Sequence, residues 1–143
     1  MKSFVALALG FAVLHAPLAR AECYQWPLRE HKGRVVYDGD TLYTTLPGAP
    51  AELAAISVRI RGIDTAEIRA KCDEERYQAT AARDYLEHLL SQGQPEFCEV
   101  AWDKYGGRVD ATVRVGGKDI ATEMVRAGFA RSYSGGARAS WCG

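Results

Sequence analysis

The sequence predicts an α+β fold that is mainly β: a five-stranded Greek-key barrel of the OB type with two or three helices, filling residues 22–143 as one domain. Three observations point there. Short β-rich runs recur with turn signals between them, and one long helical pattern interrupts them. The order is three strands, a helix, two strands, a helix, which does not fit an alternating parallel α/β layout.

Residues 1–21 read as an export signal outside the fold. Lys2 gives a positive start, Phe4 to Leu14 is apolar, Pro17 breaks the run, and Ala19-Arg20-Ala21 is a small-x-small cleavage site. A membrane anchor is the competing reading, but spanning a bilayer takes about 20 apolar residues, and this run is shorter. The chain is therefore expected to be exported, periplasmic or secreted, with no membrane attachment after cleavage.

Residues 22–33 read as an irregular lead-in. Arg34–Tyr37 (RVVY) and Thr41–Thr45 (TLYTT) flank an Asp-Gly turn signal and predict a hairpin. Two prolines and a glycine make Leu46–Ala55 a surface loop. In Ser57–Ile63, Val58, Ile60 and Gly62 alternate with Arg59, Arg61 and Ile63, as in a half-buried strand. Asp73–Leu90 predicts the long helix, with Tyr77, Ala81, Tyr85 or Leu86, and Leu89 on its inner face and Gly93 beyond its end. Phe97–Trp102 and Ala111–Val115 are two further strands joined by the loop DKYGGR. Asp119 can cap a short helix that turns Ile120, Met124 and Val125 inward and stops at Gly128. The tail SYSGGARASWCG reads as loop.

The 143 residues carry 18 Lys+Arg and 18 Asp+Glu. Cleavage removes Lys2 and Arg20 and no acid, leaving a slightly acidic chain. A protein that held nucleic acid through bulk charge would be clearly basic, so phosphate recognition here must be local. The four cysteines, Cys23, Cys72, Cys98 and Cys142, predict two disulfides in an exported small domain, with three pairings open. Zinc is disfavoured, because no two cysteines have CxxC spacing and His31 and His88 form no ligand pair.

Three segments carry chemistry: Asp38-Gly39-Asp40-Thr41; then Arg59, Asp64-Thr65 and Glu67; then Asp103-Lys104-Tyr105-Gly106-Gly107-Arg108. Each alone has a plain structural explanation as a turn, a strand end or a loop charge. Together they mean more. Asp40 opens one strand and Asp64 closes another, so a barrel can bring both carboxylates to one end. Two carboxylates with a backbone carbonyl and waters suit a hard divalent cation, and calcium tolerates an irregular oxygen shell. Glu67 lies where it can hold or deprotonate a water, and Arg59 and Arg108 can grip one phosphate from two sides.

The pattern Asp-Gly-Asp-Thr, Arg-x4-Asp-Thr-x-Glu and Asp-Lys-Tyr-Gly with a following Arg resembles the staphylococcal nuclease family over Arg34 to Tyr133, including the segment Val125 to Ala130. The resemblance implies a calcium site with Asp40 and Asp64 as carboxylate ligands and Thr65 as a carbonyl ligand, and Asp38 beside it. It implies that Glu67 is the general base or orients the attacking water. Arg59 and Arg108 would stabilise the transition state, and Lys104, Tyr105 and Tyr133 would seat the nucleotide. The implied reaction is hydrolysis of DNA or RNA at the P–O5′ bond, leaving a 3′-phosphate, by a monomer with no stable protein partner. It also implies the disulfides Cys72–Cys142 and Cys23–Cys98.

The chain departs from the family in four places. Ala66 stands where proline is usual, Gly106-Gly107 adds a residue before Arg108, the Leu46–Ala55 loop is longer, and the tail stops soon after Trp141. Two other functions compete. A non-catalytic OB-type module would bind single strands through Tyr43, Tyr105, Tyr133 and Trp141, but would want a basic groove. A calcium-stabilised structural domain would use Glu67 and the arginines only as surface ion pairs.

Overall fold

The computed structural model describes residues 22–143, and the expected export signal lies outside the described residues. The strands are β1 (Cys23–Tyr24), β2 (Thr41–Thr45), β3 (Ala55–Ile60), β4 (Ile63–Asp64), β5 (Pro95–Trp102), β6 (Arg108–Val115), β7 (Lys118–Asp119) and β8 (Arg131–Ser132). The helices are α1 (Ala51–Ala54), α2 (Asp73–Leu90) and α3 (Ile120–Arg126). The main sheet runs β1-β5-β6-β3-β2 with β7 on β6, while β4 and β8 form a separate pair. The fold is α+β, as the sequence predicts.

The expected five-stranded barrel differs in detail, because the sheet is not closed. The predicted first strand, Arg34–Tyr37, is reduced to isolated bridges, Val36 to Leu42 and Arg34 to His31. Its segment still lies along the outer edge of β2, with Tyr43 N–H donating to the Val35 carbonyl (2.8 Å). Further along that edge, Thr45 N–H reaches Pro27 O (3.0 Å) and Arg29 N–H reaches Tyr43 O (3.1 Å). The lead-in thus starts on β5 and ends on β2, covering two edges that would otherwise present unpaired backbone groups. It cannot form one ladder, since Pro27 lacks an N–H and Lys32-Gly33 turns at positive φ (52° and 77°).

The predicted strand over 57–63 breaks in two. Gly62 takes φ 86° and stands exposed, and the turn there brings Ile63 into the core at the start of β4. Arg59 is buried as well, so alternation misassigns both side chains.

Helix α2 matches its predicted span, capped by Cys72, whose Sγ accepts from Glu75 N–H (3.4 Å). Asp73, Glu74 and Glu75 place negative charge in its first turn, where the helix dipole favours it. Its buried face is Glu75, Ala79, Ala82, Leu86, Leu89 and Leu90. Tyr77 is 77 % exposed, so the inner face predicted from Tyr77 and Ala81 is displaced by a fraction of a turn. Helix α3 buries Ile120 and Met124, and Asp119 Oδ1 accepts from Thr122 N–H (2.8 Å). These helices pack with Leu42, Val58, Ile60, Phe97, Val109 and Val113 into one core. The disulfide Cys23–Cys98 staples β1 to β5, and Cys72–Cys142 ties the start of α2 to the tail. No helix among the described residues is long and apolar enough to cross a membrane.

Candidate active site

Register places the first carboxylate. Strands β2 and β3 are antiparallel with Thr41 opposite Arg59, and Ile60 N–H bonds the Asp40 carbonyl (2.7 Å). Asp40 therefore lies beside Arg59, whose Nη1 is 2.8 Å from Asp40 Oδ2. Thr65 N–H and Oγ1 donate to the same oxygen (3.2 and 3.1 Å), and Thr41 Oγ1 donates to Oδ1 (3.0 Å). The other arm of Arg59 donates to Ile63 O (2.9 Å), fixing the turn that delivers Asp64. A buried ion pair is tolerated only when its remaining polar atoms are satisfied; here Asp40 Oδ2 takes three donors, while Oδ1 takes only the Thr41 hydroxyl.

Gly39 has a different role from the turn signal it suggests. A Cβ there would stand 2.7 Å from Ala82 Cβ and 2.9 Å from Thr65 Cγ2. Only glycine lets the Asp38–Asp40 segment press against α2 and the Thr65 strand end. Asp38 accepts from Asp40 N–H (3.1 Å). Burial first, and the adjacent Asp40 charge second, push its carboxyl well above the usual carboxylate range.

Asp64 is held differently. Its Oδ2 accepts from Trp141 Nε1–H (3.1 Å). Its Oδ1 lies 3.1 Å from Arg138 Nε, yet is buried without an aligned hydrogen bond. Arg138 Nη1 also pairs with Glu67 Oε1. Burial works against the Arg138 charge, but the Asp64 charge and the Glu67 hydrogen bond outweigh it and raise its pKa. The loop carrying Glu67 is anchored from below by the buried Glu75, which accepts from Lys71 N–H (2.7 Å) and Glu67 N–H (3.4 Å).

A second group of residues lines one cleft of about 560 Å³: Arg59, Lys104, Tyr105, Arg108, Tyr133 and Arg138 among them. The parallel β3–β6 register sets Arg108 opposite Ser57, one strand away from Arg59. The extra glycine before Arg108 is taken up in the hairpin tip, where Gly107 adopts φ 74° and Arg108 N–H closes on Tyr105 O (3.3 Å). Arg108 Nε pairs with Asp103 Oδ2, and its guanidinium stacks over Tyr105, 4.7 Å from the ring centre. Tyr133 donates to Gly136 O (2.8 Å).

All the sequence-predicted site residues therefore fall in two adjoining places. Asp38, Asp40, Asp64, Thr65 and Glu67 make an acid cluster, and Arg59, Lys104, Tyr105, Arg108 and Tyr133 make a cationic, aromatic cleft beside it. Arg59 belongs to both. Sequence reasoning misses Arg138, Glu75 and the Trp141–Asp64 bond. Cys72-x-x-Glu75 does have the spacing of a capping box, a signal that could have marked Glu75. Arg138 has no local signature.

The donor set fits a hard cation: carboxylate oxygens, with one buried Asp64 oxygen lacking a hydrogen-bond donor. Among the described residues, the group of His, Cys, Asp and Glu whose ligand atoms all lie within 4.8 Å of one another is Cys72, Glu75 and Cys142, but both sulfurs are spent in the disulfide. A larger groove of about 640 Å³ lies between Tyr24, Trp26, Leu46, Ile56 and Trp102. It has no charged lining residue and so nothing with which to hydrolyse a phosphodiester.

No curated protein matches the chain. Residues 57–140, from β3 to the tail, match the family model described as staphylococcal nuclease homologue, and the chain belongs to that family.

Proposed function

We propose that the protein is a calcium-dependent nuclease that hydrolyses phosphodiester bonds of DNA or RNA and leaves 3′-phosphates. Family membership gives nuclease or nucleic-acid-binding function. The observation that favours cutting over binding is the buried acid cluster. Asp40 and Asp64 are 6 % and 5 % exposed at their side chains, and Asp38 is buried beside Asp40. A strand-binding groove has no use for so many carboxyl groups gathered at one place, whereas a cation site requires them.

Asp40 and Asp64, with the Thr65 carbonyl, would hold calcium, which supplies Lewis-acid polarisation and a template when bound. Glu67, 43 % exposed at its side chain, takes the proton of the attacking water or orients that water. Attack forms a new P–O bond and breaks the P–O5′ bond in line, and the departing 5′-oxygen is protonated from solvent. Arg59, held on Asp40 and the Ile63 carbonyl, and Arg108, paired with Asp103, line the cleft, and their permanent charges offset the charge gained at the phosphate. Tyr105, Tyr133 and Lys104 seat the adjoining nucleotide. Two disulfides support an exported, oxidising location.

The test is cleavage of denatured DNA and RNA by the oxidised protein, with calcium or a chelator, beside Glu67→Gln and with end-group analysis. Calcium-dependent cutting to 3′-phosphates that drops by roughly 10²-fold or more in the variant is expected. Strand binding with no cutting under any divalent ion would make the protein a binding module.

A further inference from the structure

The tail returns to the acid cluster from far along the chain. After β8, Gly135 and Gly136 turn at φ 107° and 88°. The chain then runs back past the cluster and is fastened by Cys142 to Cys72. Arg131 grips this return: Nη1 donates to Ser140 O (2.9 Å) and the guanidinium lies 3.8 Å from the Trp141 ring centre. Thus held, the tail presents Arg138 to Asp64 and Glu67 at once and the Trp141 indole N–H to Asp64.

We propose that Arg138 is a resident counter-ion of the acid cluster, competing with the divalent cation for Asp64 and Glu67, and that the Cys72–Cys142 bridge keeps it in place. The proposal rests on the calcium reading above. A guanidinium fork that spans two carboxylates neutralises the charge a cation would otherwise neutralise, so occupancy by one opposes occupancy by the other. Arg138 is suited to give way. Its side chain is 42 % exposed, while the Asp64 it guards is 5 % exposed. It also stands between two cavities, one lined by Asp64, Glu67, Lys71, Glu75 and Trp141, the other the cleft of Lys104, Tyr105, Arg108 and Tyr133. A guanidinium displaced from the acids has the phosphate side next to it, and the Tyr133 ring, 5.9 Å away, to lie against. The tail thereby sets how much free calcium the site needs.

Calorimetric calcium titration of the oxidised protein, of Arg138→Gln and of Arg138→Lys tests this without reference to turnover. Arg138→Gln is expected to bind calcium about tenfold more tightly or better. Arg138→Lys, which keeps the charge and loses the fork, is expected to fall between. Indole fluorescence should change on binding, and Trp141→Phe should remove that change. Calcium binding by the wild type with equal or weaker affinity in both variants overturns the proposal and leaves the calcium reading intact. No binding by any of the proteins overturns both.

Discussion

The two halves of the acid cluster are built in opposite ways. Asp40 is locked by Arg59 and Thr41 from the paired strands β3 and β2 and by Thr65 just past β4, with 10 % exposure at the Arg59 side chain. Asp64 and Glu67 rely on the tail, through an arginine that is 71 residues from Glu67 in sequence and more than two-fifths exposed. One half is fixed by the fold itself; the other is completed by a tail segment held by the Cys72–Cys142 bridge and the Arg131 contacts to Ser140 and Trp141. On the proposed calcium reading, the rigid half would preserve geometry while the adjustable half would set affinity.

The sharpest way to break the comparison is to cut each disulfide separately. The bridges span similar separations, 75 residues for Cys23–Cys98 and 70 for Cys72–Cys142. Replacing either pair by serine should therefore cost roughly 4 kcal/mol in the chain-entropy model, read as urea midpoints. Only Cys72→Ser/Cys142→Ser is expected to change calcium affinity as well, tightening it as Arg138 is released. Equal calcium affinity in the two double variants would mean that the tail does not govern the site.

Next in size is the locked half. Arg59→Ala leaves the buried Asp40 carboxylate without its cation, and a loss of about 3 kcal/mol or more is expected in denaturant unfolding without calcium. Saturating calcium should restore part of that loss, because a ligand of the native state stabilises it. Gly39→Ala is expected to cost about 1–3 kcal/mol through overpacking against Ala82 and Thr65, with Gly39→Ser no better.

The smallest effect concerns the cleft wall. Burial pushes the Asp103 carboxyl up, but the Arg108 hydrogen bond, the Lys104 N–H and both cations outweigh it, holding the group below the usual carboxylate range. A depressed pKa stabilises the fold above the unfolded-state pKa of about 3.9, and that stabilisation is lost as pH falls through the folded value. Asp103→Asn should therefore be less stable than the wild type at neutral pH by under about 1 kcal/mol, since the pair is partly solvated. The gap should close in acid, as read by thermal melts across that range.

How much of this was legible in the sequence depends on how far apart the interacting residues lie. Strand β2 and helix α2 were readable because TLYTT and the 73–90 pattern carry their own propensity and limits. The placement of Asp40, Asp64 and Glu67 is readable because strand ends and a short loop carry them, whereas the burial of Arg59 is not, since alternation turns it outward. Strand β1 and the edge-covering lead-in were not, because two residues paired with Cys98 and Phe97 leave no periodic trace. Alternation hides the β3–β4 break, because Gly62 looks like an inward position in an alternating run, whereas its positive φ makes it a turn. Arg138 was hidden in a glycine-containing tail of loop character, and only tertiary return of that tail to α2 brings it to Asp64.

The most direct test of the central claim is the calcium dependence of DNA cutting by the wild type and by Asp64→Asn, measured alongside calcium binding in the same samples. The expected result is a wild-type cleavage midpoint that follows its binding midpoint, with both lost in the variant. Cleavage that survives a chelator, or that persists in Asp64→Asn with unchanged calcium dependence, would contradict the assignment of this cluster as the catalytic cation site.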